Sequence, residues 1–312
     1  MIVRTIDAHA AGGPLRLVVD GFPSPRGRTM LEKRDWAERH ADALRRALVL
    51  EPRGHADMWG AVLTEPASPR AHAGILFFDS GGYRTMSGHG IIAATRIALD
   101  RGLVMSGDGA TIVFDTPAGE VRATAAGDRV SFVNVPSYVL HAGVPVQAGP
   151  RVLRADIAYG GAFFAIVDAE SAGVSIDIAH MPELRRAAGA ISAAVAKVQA
   201  VDGTIFTGPP YDAGADLRNA AVLVDGVVDR SPCGTGTAAV MAVIDAMGLL
   251  AAERPFVHES IIGTRIEGRI AGRTMVGDYP AIRTEITGSA WITGDHTFVI
   301  DDRDPLKDGF RT

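Results

Sequence analysis

The chain has 312 residues, 47% of them hydrophobic and 21% charged, and 31 basic against 36 acidic side chains give a formal charge of −5. Such a composition can bury a large core, in one big or two ordinary domains, and it excludes general disorder. It speaks against a nucleic-acid or anionic-membrane partner, because the Lys and Arg residues are scattered in nothing longer than adjacent pairs such as Arg45–Arg46 and Arg185–Arg186.

No stretch approaches the roughly 18 uninterrupted apolar residues of a membrane span. Met1–Gly12 lacks the basic start and apolar run of a secretory leader, so a cytoplasmic location is expected. With Cys233 as the single cysteine, neither an intramolecular disulfide nor a multi-cysteine metal site can form.

In chain order, Ile2–Gly21 reads as strand around the pair Gly12–Gly13. Arg34–Leu50 spaces Trp36, Ala41, Leu44, Ala47 and Leu48 as one face of a helix. Met58–Leu63 and Ala73–Asp79 are short apolar runs bounded by Pro66, Pro69 and Gly81–Gly82, which predicts two strands. Met86–Gly90 then opens an apolar helix that stops at Gly102. Pro136–Pro150 is expected to be a crossover.

The same order returns afterwards. DIAYGGAFFAIVD (Asp156–Asp168) parallels DAHAAGGPLRLVVD (Asp7–Asp20), and the helix predicted over Met181–Ala200 takes the slot of Arg34–Leu50. Thr204–Pro210 and Asn219–Val228 supply strands, and Cys233–Thr237 opens a second apolar helix. Asp7 and Ser87 are 80 positions apart, Asp156 and Cys233 77. A duplication is therefore expected: an α/β fold of two similar α/β domains, 1–140 and 150–290, with the last strand, about 291–312, a candidate to return to the first.

Each half sets a small side chain, Ser87 or Cys233, directly before a glycine-rich helix start. Such a start exposes unpaired N–H groups and the positive end of the helix dipole, which favour a carboxylate and a thiolate. Two such starts facing one ligand across a pseudo-twofold axis can remove a proton from one face of a carbon acid and deliver one to the other. The plainer readings are that Ser87 is only a helix cap, Cys233 only a small buried residue, His89 a polar cap and Asp229 a partner of Arg230 or Arg218. His9, His55, Asp57 and His258 are assigned to structural hydrogen bonding. They lack the close spacing of a metal motif, and neither a dinucleotide nor a phosphate-binding loop is present, so no metal or other cofactor is expected.

The strings RTMSGHG (Arg84–Gly90) and VDRSPCGTGTAA (Val228–Ala239) carry a resemblance, together with IDAHAAGGPLR, RGHADMWGA, DIAYGGAFFAIV and FVHESIIGT. They resemble the proline racemase family, which includes 4-hydroxyproline 2-epimerases and trans-3-hydroxy-L-proline dehydratases. The resemblance covers essentially the whole chain. It implies a diaminopimelate-epimerase-like fold with a cofactor-free site in the cleft between the domains, and a small-molecule substrate of the proline or hydroxyproline type. A homodimer is compatible with it. Ser87 and Cys233 take the places of the two acid/base residues, Gly88, His89, Gly234 and Thr235 those of the carboxylate cradle, and His89 and Asp229 those of the groups that hold the ring amine. Tyr159, Gly160, Ala162 and Phe163 are loosely placed as pocket walls.

The departure is Ser87, where racemases and epimerases of the family present a second cysteine. A thiol near pKa ~8.5 can be brought lower by a helix start, whereas a serine hydroxyl has no comparable anion. Two-way inversion is disfavoured by such a pair, and one-way β-elimination from a 3-hydroxyproline suffers less. Dehydration of trans-3-hydroxy-L-proline to 1-pyrroline-2-carboxylate is thus the leading expectation. 4-Hydroxyproline 2-epimerisation is the alternative, and a non-catalytic binding protein of the same fold stands behind both. Which of Ser87 and Cys233 is the base stays open.

Overall fold

The computed structural model describes residues 1–251 and 253–311. The chain forms two compact units, Met1–Phe132 with Ser289–Thr312, and Val133–Gly288. Among the described residues no helix is long and apolar enough to cross a membrane.

In the first unit β1 (Ile2–Ala10) and β2 (Gly13–Asp20) make an antiparallel hairpin. Its turn places Ala11 and Gly12 at φ 49° and 91°, a region where a side chain is costly and glycine is not. The single helix expected over Arg34–Leu50 is two helices, α1 (Met30–His40) and α2 (Asp42–Val49). It starts earlier because the Thr29 hydroxyl accepts the Glu32 N–H at 3.1 Å. It breaks at Ala41, whose φ −131° and ψ 11° leave the helical region. Leu44, Ala47, Leu48 and Val49 still face inward, against Val3, Val18, Val62, Leu76 and Phe78.

Strand β3 (Trp59–Thr64) runs parallel to β2, and β4 (Ala73–Asp79) antiparallel to β3. The two-residue β5 (Tyr83–Arg84) folds back on β4 and delivers the chain to α3 (Gly88–Asp100). β6 (Thr111–Thr116) then lies parallel to β4, β7 (Gly119–Ala126) pairs with it, and β8 (Arg129–Val133) leads out.

The segment Pro136–Pro150, expected as a crossover, is instead the strand β9 (Ser137–Ala148). Its alternation is broken by Gly143, at φ 62°, and only Ser137 and Val146 along it are buried, so the sequence shows no period of two. It pairs antiparallel with β10 (Arg151–Tyr159). From there β11 (Phe163–Asp168), the single turn α4 (Ala169–Ala172), α5 (Met181–Val195), β12 (Gly203–Gly208), β13 (Leu217–Leu223), β14 (Val228–Asp229) and α6 (Gly234–Ala246) follow. β15 (Phe256–Glu259), β16 (Arg265–Val276) and β17 (Tyr279–Val299) close the chain.

The pairings repeat strand for strand. β10–β11 is antiparallel, β11–β12 parallel, β12–β13 and β13–β14 antiparallel, and β13–β15 parallel, the same series as from β1 to β6. The duplication expected from the spacing of Asp7, Ser87, Asp156 and Cys233 is present as topology. β17 pairs with β16 up to Thr287 and with β1 from Ala290, so the chain returns to the first unit inside one strand.

Candidate functional site

The duplicated helices α3 and α6 begin on the side chains that the sequence singles out. Ser87 is the cap of α3, in extended backbone at φ −144° and ψ 116°, and its Oγ accepts the Gly90 N–H at 3.2 Å. It is 3% exposed. A Cβ added at Gly90 would lie 2.9 Å from that Oγ and 2.6 Å from the Phe77 ring, so only glycine lets the first turn close around the hydroxyl. The neighbouring His89 is buried edge-on against Trp59, with centroids 5.0 Å apart.

Cys233 caps α6 in the same way, its Sγ accepting the Gly236 N–H at 3.3 Å and lying 3.6 Å from the Thr235 hydroxyl. A Cβ at Gly236 would meet that sulfur at 2.9 Å. The two caps differ in backbone, because Cys233 sits at φ 60° and ψ 98°. Residues other than glycine rarely hold such a conformation, and it is strained by of order 1–3 kcal/mol.

Just upstream, Asp229 is buried, and its Oδ1 accepts both the N–H and the hydroxyl of Ser231, at 2.9 and 2.7 Å. The Ser231 hydroxyl oxygen in turn accepts the Cys233 N–H at 3.1 Å. Arg218, one partner considered for Asp229, is engaged elsewhere, in a buried ion pair with Glu259 at 3.1 Å. Gly160 packs on the same helix start: a Cβ there would meet the Thr235 carbonyl oxygen at 2.2 Å. That close approach makes Gly160 a backbone contact of α6. Tyr159 and Phe163, beside it, belong to an aromatic group with Tyr138.

Residues 5–311 match the family described as proline racemase. The chain belongs to the proline racemase family. It is 40% identical to a trans-3-hydroxy-L-proline dehydratase of Bacillus cereus, over 99% of this chain and 98% of that one. It is equally 40% identical to a proline racemase of Clostridioides difficile, over 99% and 97%. In structure it resembles a hydroxyproline epimerase of Agrobacterium vitis with bound trans-4-OH-L-proline, with TM-score 0.91 and 27% identity over 100% of this chain and 95% of that one. The two-unit α/β architecture is thus that of the family.

In this proline racemase family member the helix start does not lower the Cys233 thiol pKa as the sequence suggested. Burial is the largest influence and pushes the pKa up, and the charge of Asp229 adds to the rise. The contacts from Thr235 and Gly236 pull the other way and are outweighed. Without a ligand, Cys233 is a protonated thiol at neutral pH.

The remaining histidines do not gather at these helix starts as one set. His9 accepts the Gly12 N–H in the β1–β2 turn, His55 is exposed beside the Ala56 carbonyl, and Asp57 is buried at φ 64°. His258 alone is at α6: it is fully buried, with Nδ1 2.8 Å from the Thr237 hydroxyl.

Sequence reasoning missed Gly90, Gly236, Ser231 and Thr237. A signal for the two glycines exists, because each stands three residues after its cap, where the N–H turns back onto the cap side chain. Ser231 and Thr237 have no such signature: the Ser231 hydroxyl joins Asp229 to the Cys233 N–H inside an irregular turn, and the Thr237 hydroxyl meets the Pro232 carbonyl and His258.

Proposed function

We propose that the protein is a cofactor-independent hydro-lyase that dehydrates trans-3-hydroxy-L-proline to 1-pyrroline-2-carboxylate, with Cys233 as the acid/base residue of the elimination and Ser87 as the second acid/base residue, required for inversion. The observation that carries this reading is that equivalent caps of two duplicated helices bear a thiol in one and a hydroxyl in the other. The relatives named trans-3-hydroxy-L-proline dehydratase support it.

In this reading the amides of Gly88, His89, Gly234 and Thr235 receive the substrate carboxylate, as helix starts receive anions. Asp229 and His89 hold the ring ammonium. The ammonium offsets the Asp229 charge, which adds to burial in holding the Cys233 thiol protonated, so binding shifts the thiol toward the thiolate. In the trans-3-hydroxy-L isomer the α-hydrogen and the 3-hydroxyl lie on the same ring face. The thiolate takes the α-proton, the C–H pair forms the C2=C3 double bond, and the C3–O pair leaves with the hydroxyl. That hydroxyl collects the proton from Cys233 and departs as water. The resulting enamine tautomerises to 1-pyrroline-2-carboxylate.

Inversion at the α-carbon needs the second face as well, where Ser87 would deliver or remove the proton. A serine hydroxyl gives up its proton far less readily than a thiol and is a poor base when neutral, so inversion through Ser87 is disfavoured and the pair favours the one-way reaction. 4-Hydroxyproline 2-epimerisation is the second reading, favoured by the likeness to the hydroxyproline epimerase with its bound imino acid. In either reading the partner is a free imino acid, not nucleic acid or a membrane. The protein works in the cytoplasm, and a homodimer is compatible with this reading.

The test is incubation in D₂O with trans-3-hydroxy-L-proline and, separately, trans-4-hydroxy-L-proline, following the α-proton by NMR and cyclic imine by o-aminobenzaldehyde colour. Imine from the 3-hydroxy substrate, lost in Cys233→Ala, supports the dehydratase. Deuterated inversion of the 4-hydroxy substrate without imine supports the epimerase instead. Ligand protection of the Cys233 thiol with neither reaction would leave a binding protein and sink both.

A further inference from the structure

We propose that His258, Asn219 and Thr237 form a buried positioning group that pins the Pro232–Cys233 peptide and so holds Cys233 in the strained backbone from which its thiol works. The proposal rests on Cys233 being the acid/base thiol and concerns what keeps it there.

The Pro232 carbonyl accepts from Asn219 Nδ2 at 2.6 Å and from the Thr237 hydroxyl at 3.1 Å. A carbonyl gripped from two directions fixes the plane of the peptide that precedes Cys233. The Thr237 N–H closes on the Cys233 carbonyl at 2.6 Å on the other side. Held at both ends, Cys233 keeps φ 60° against its own preference. Ser87, in relaxed extended backbone, needs no such grip.

The geometry also places His258. Only the amide nitrogen of Asn219 can face the Pro232 carbonyl, so its second N–H is the one directed at His258 Nδ1, 3.0 Å away. Nδ1 also lies 2.8 Å from the Thr237 hydroxyl, so the ring touches both groups that hold the Pro232 carbonyl. Burial drives the imidazole pKa down to about 3 and keeps the ring neutral. His258, Asn219 and Thr237 are all buried. They come from β15, β13 and α6, three elements that meet only in the folded unit. None of the three is a catalytic residue; each acts through Pro232 and Cys233.

Because Cys233 is the single cysteine, alkylation reports on it alone. The experiment compares Thr237→Val and His258→Leu, which remove the hydroxyl and the ring nitrogen, with Thr237→Ser and His258→Asn, which keep a hydroxyl or a polar group in place. Read are kcat and KM for trans-3-hydroxy-L-proline, the iodoacetamide rate against pH, and Tm. In the first two variants kcat is expected to fall about tenfold or more with KM little changed, as a small misplacement of a reacting group produces. Alkylation near neutral pH rises as the thiol leaves its buried cap, and the conservative pair recovers most of both. Folded variants with a lowered Tm but wild-type kcat and alkylation profile would overturn the proposal, because the group would then be structural only. If the wild-type protein turns over no imino acid, the functional reading fails, and the alkylation profile still decides whether the group positions Cys233.

Discussion

Gly236→Ala sets helix propensity against the geometry of the cap. Alanine in a helix interior is favoured over glycine by about 1 kcal/mol, so propensity alone predicts a more stable protein. At Gly236 the new Cβ would lie 2.9 Å from Cys233 Sγ, 3.1 Å from Cys233 Cβ and 2.7 Å from Ile205 Cδ1. Forcing a methyl into such a space costs about 1–3 kcal/mol. The two effects together leave the variant between neutral and about 2 kcal/mol less stable. The consequence for activity is larger, because the sulfur must give way and it also accepts the Gly236 N–H. A displacement approaching 1 Å lowers kcat by about 100-fold. Gly189→Ala is the control: Gly189 is an exposed α5 glycine whose Cβ would meet nothing within 4 Å. It should gain the full propensity benefit, about 1 kcal/mol or some 2 °C in Tm, with unchanged kinetics. Calorimetry and initial-rate assays on both proteins decide the matter. If Gly236→Ala matched Gly189→Ala in both Tm and kcat, the close packing of the α6 start on the thiol would be refuted.

Glu259→Gln should destabilise the chain by about 3–5 kcal/mol, because it leaves the Arg218 guanidinium buried without its counter-charge; denaturant unfolding showing under 1 kcal/mol would contradict this. The His258 pKa of about 3 in the fold lies below the roughly 6.5 of an unfolded histidine, so the unfolded state binds the extra proton. This contribution to stability is complete above pH ~6.5 and is lost toward pH 3, by up to about 1.4 kcal/mol per pH unit. The difference between wild type and His258→Asn should therefore shrink as pH falls, and a difference independent of pH would contradict a neutral buried imidazole. Ser87→Ala should keep imine formation within about tenfold while losing α-carbon inversion, and Cys233→Ala should lose both by at least about 100-fold. Abolished dehydration in a Ser87→Ala protein of near wild-type Tm would make the hydroxyl obligatory for elimination.

The duplication was legible in the sequence because it lives in local signals. Glycine pairs between apolar runs, and a small polar or thiol residue before a glycine-rich apolar stretch, produce hairpins and helix starts wherever they occur. Ser87, Gly88, His89, Cys233, Gly234 and Thr235 therefore fall at the starts of α3 and α6. Two local readings went astray where the decisive interaction was weak in the pattern. The Thr29 cap and the break at Ala41 reshaped the first helical segment, and β9 reads as irregular because its partner β10 determines its pairing.

The chemical state of the cap residues was beyond the sequence altogether. A helix start is a local feature and pulls a thiol pKa down, but burial is set by packing between distant segments and pushes it up further, with the charge of nearby Asp229 adding to the rise. The same holds for His258 and Asn219, which stand 39 positions apart and meet at 3.0 Å. Periodicity and spacing report contacts along the chain, so they determined the elements and the caps. Dielectric surroundings and long-range hydrogen bonds arise only when the strands assemble, and so the tertiary structure alone decided that Cys233 rests protonated and strained.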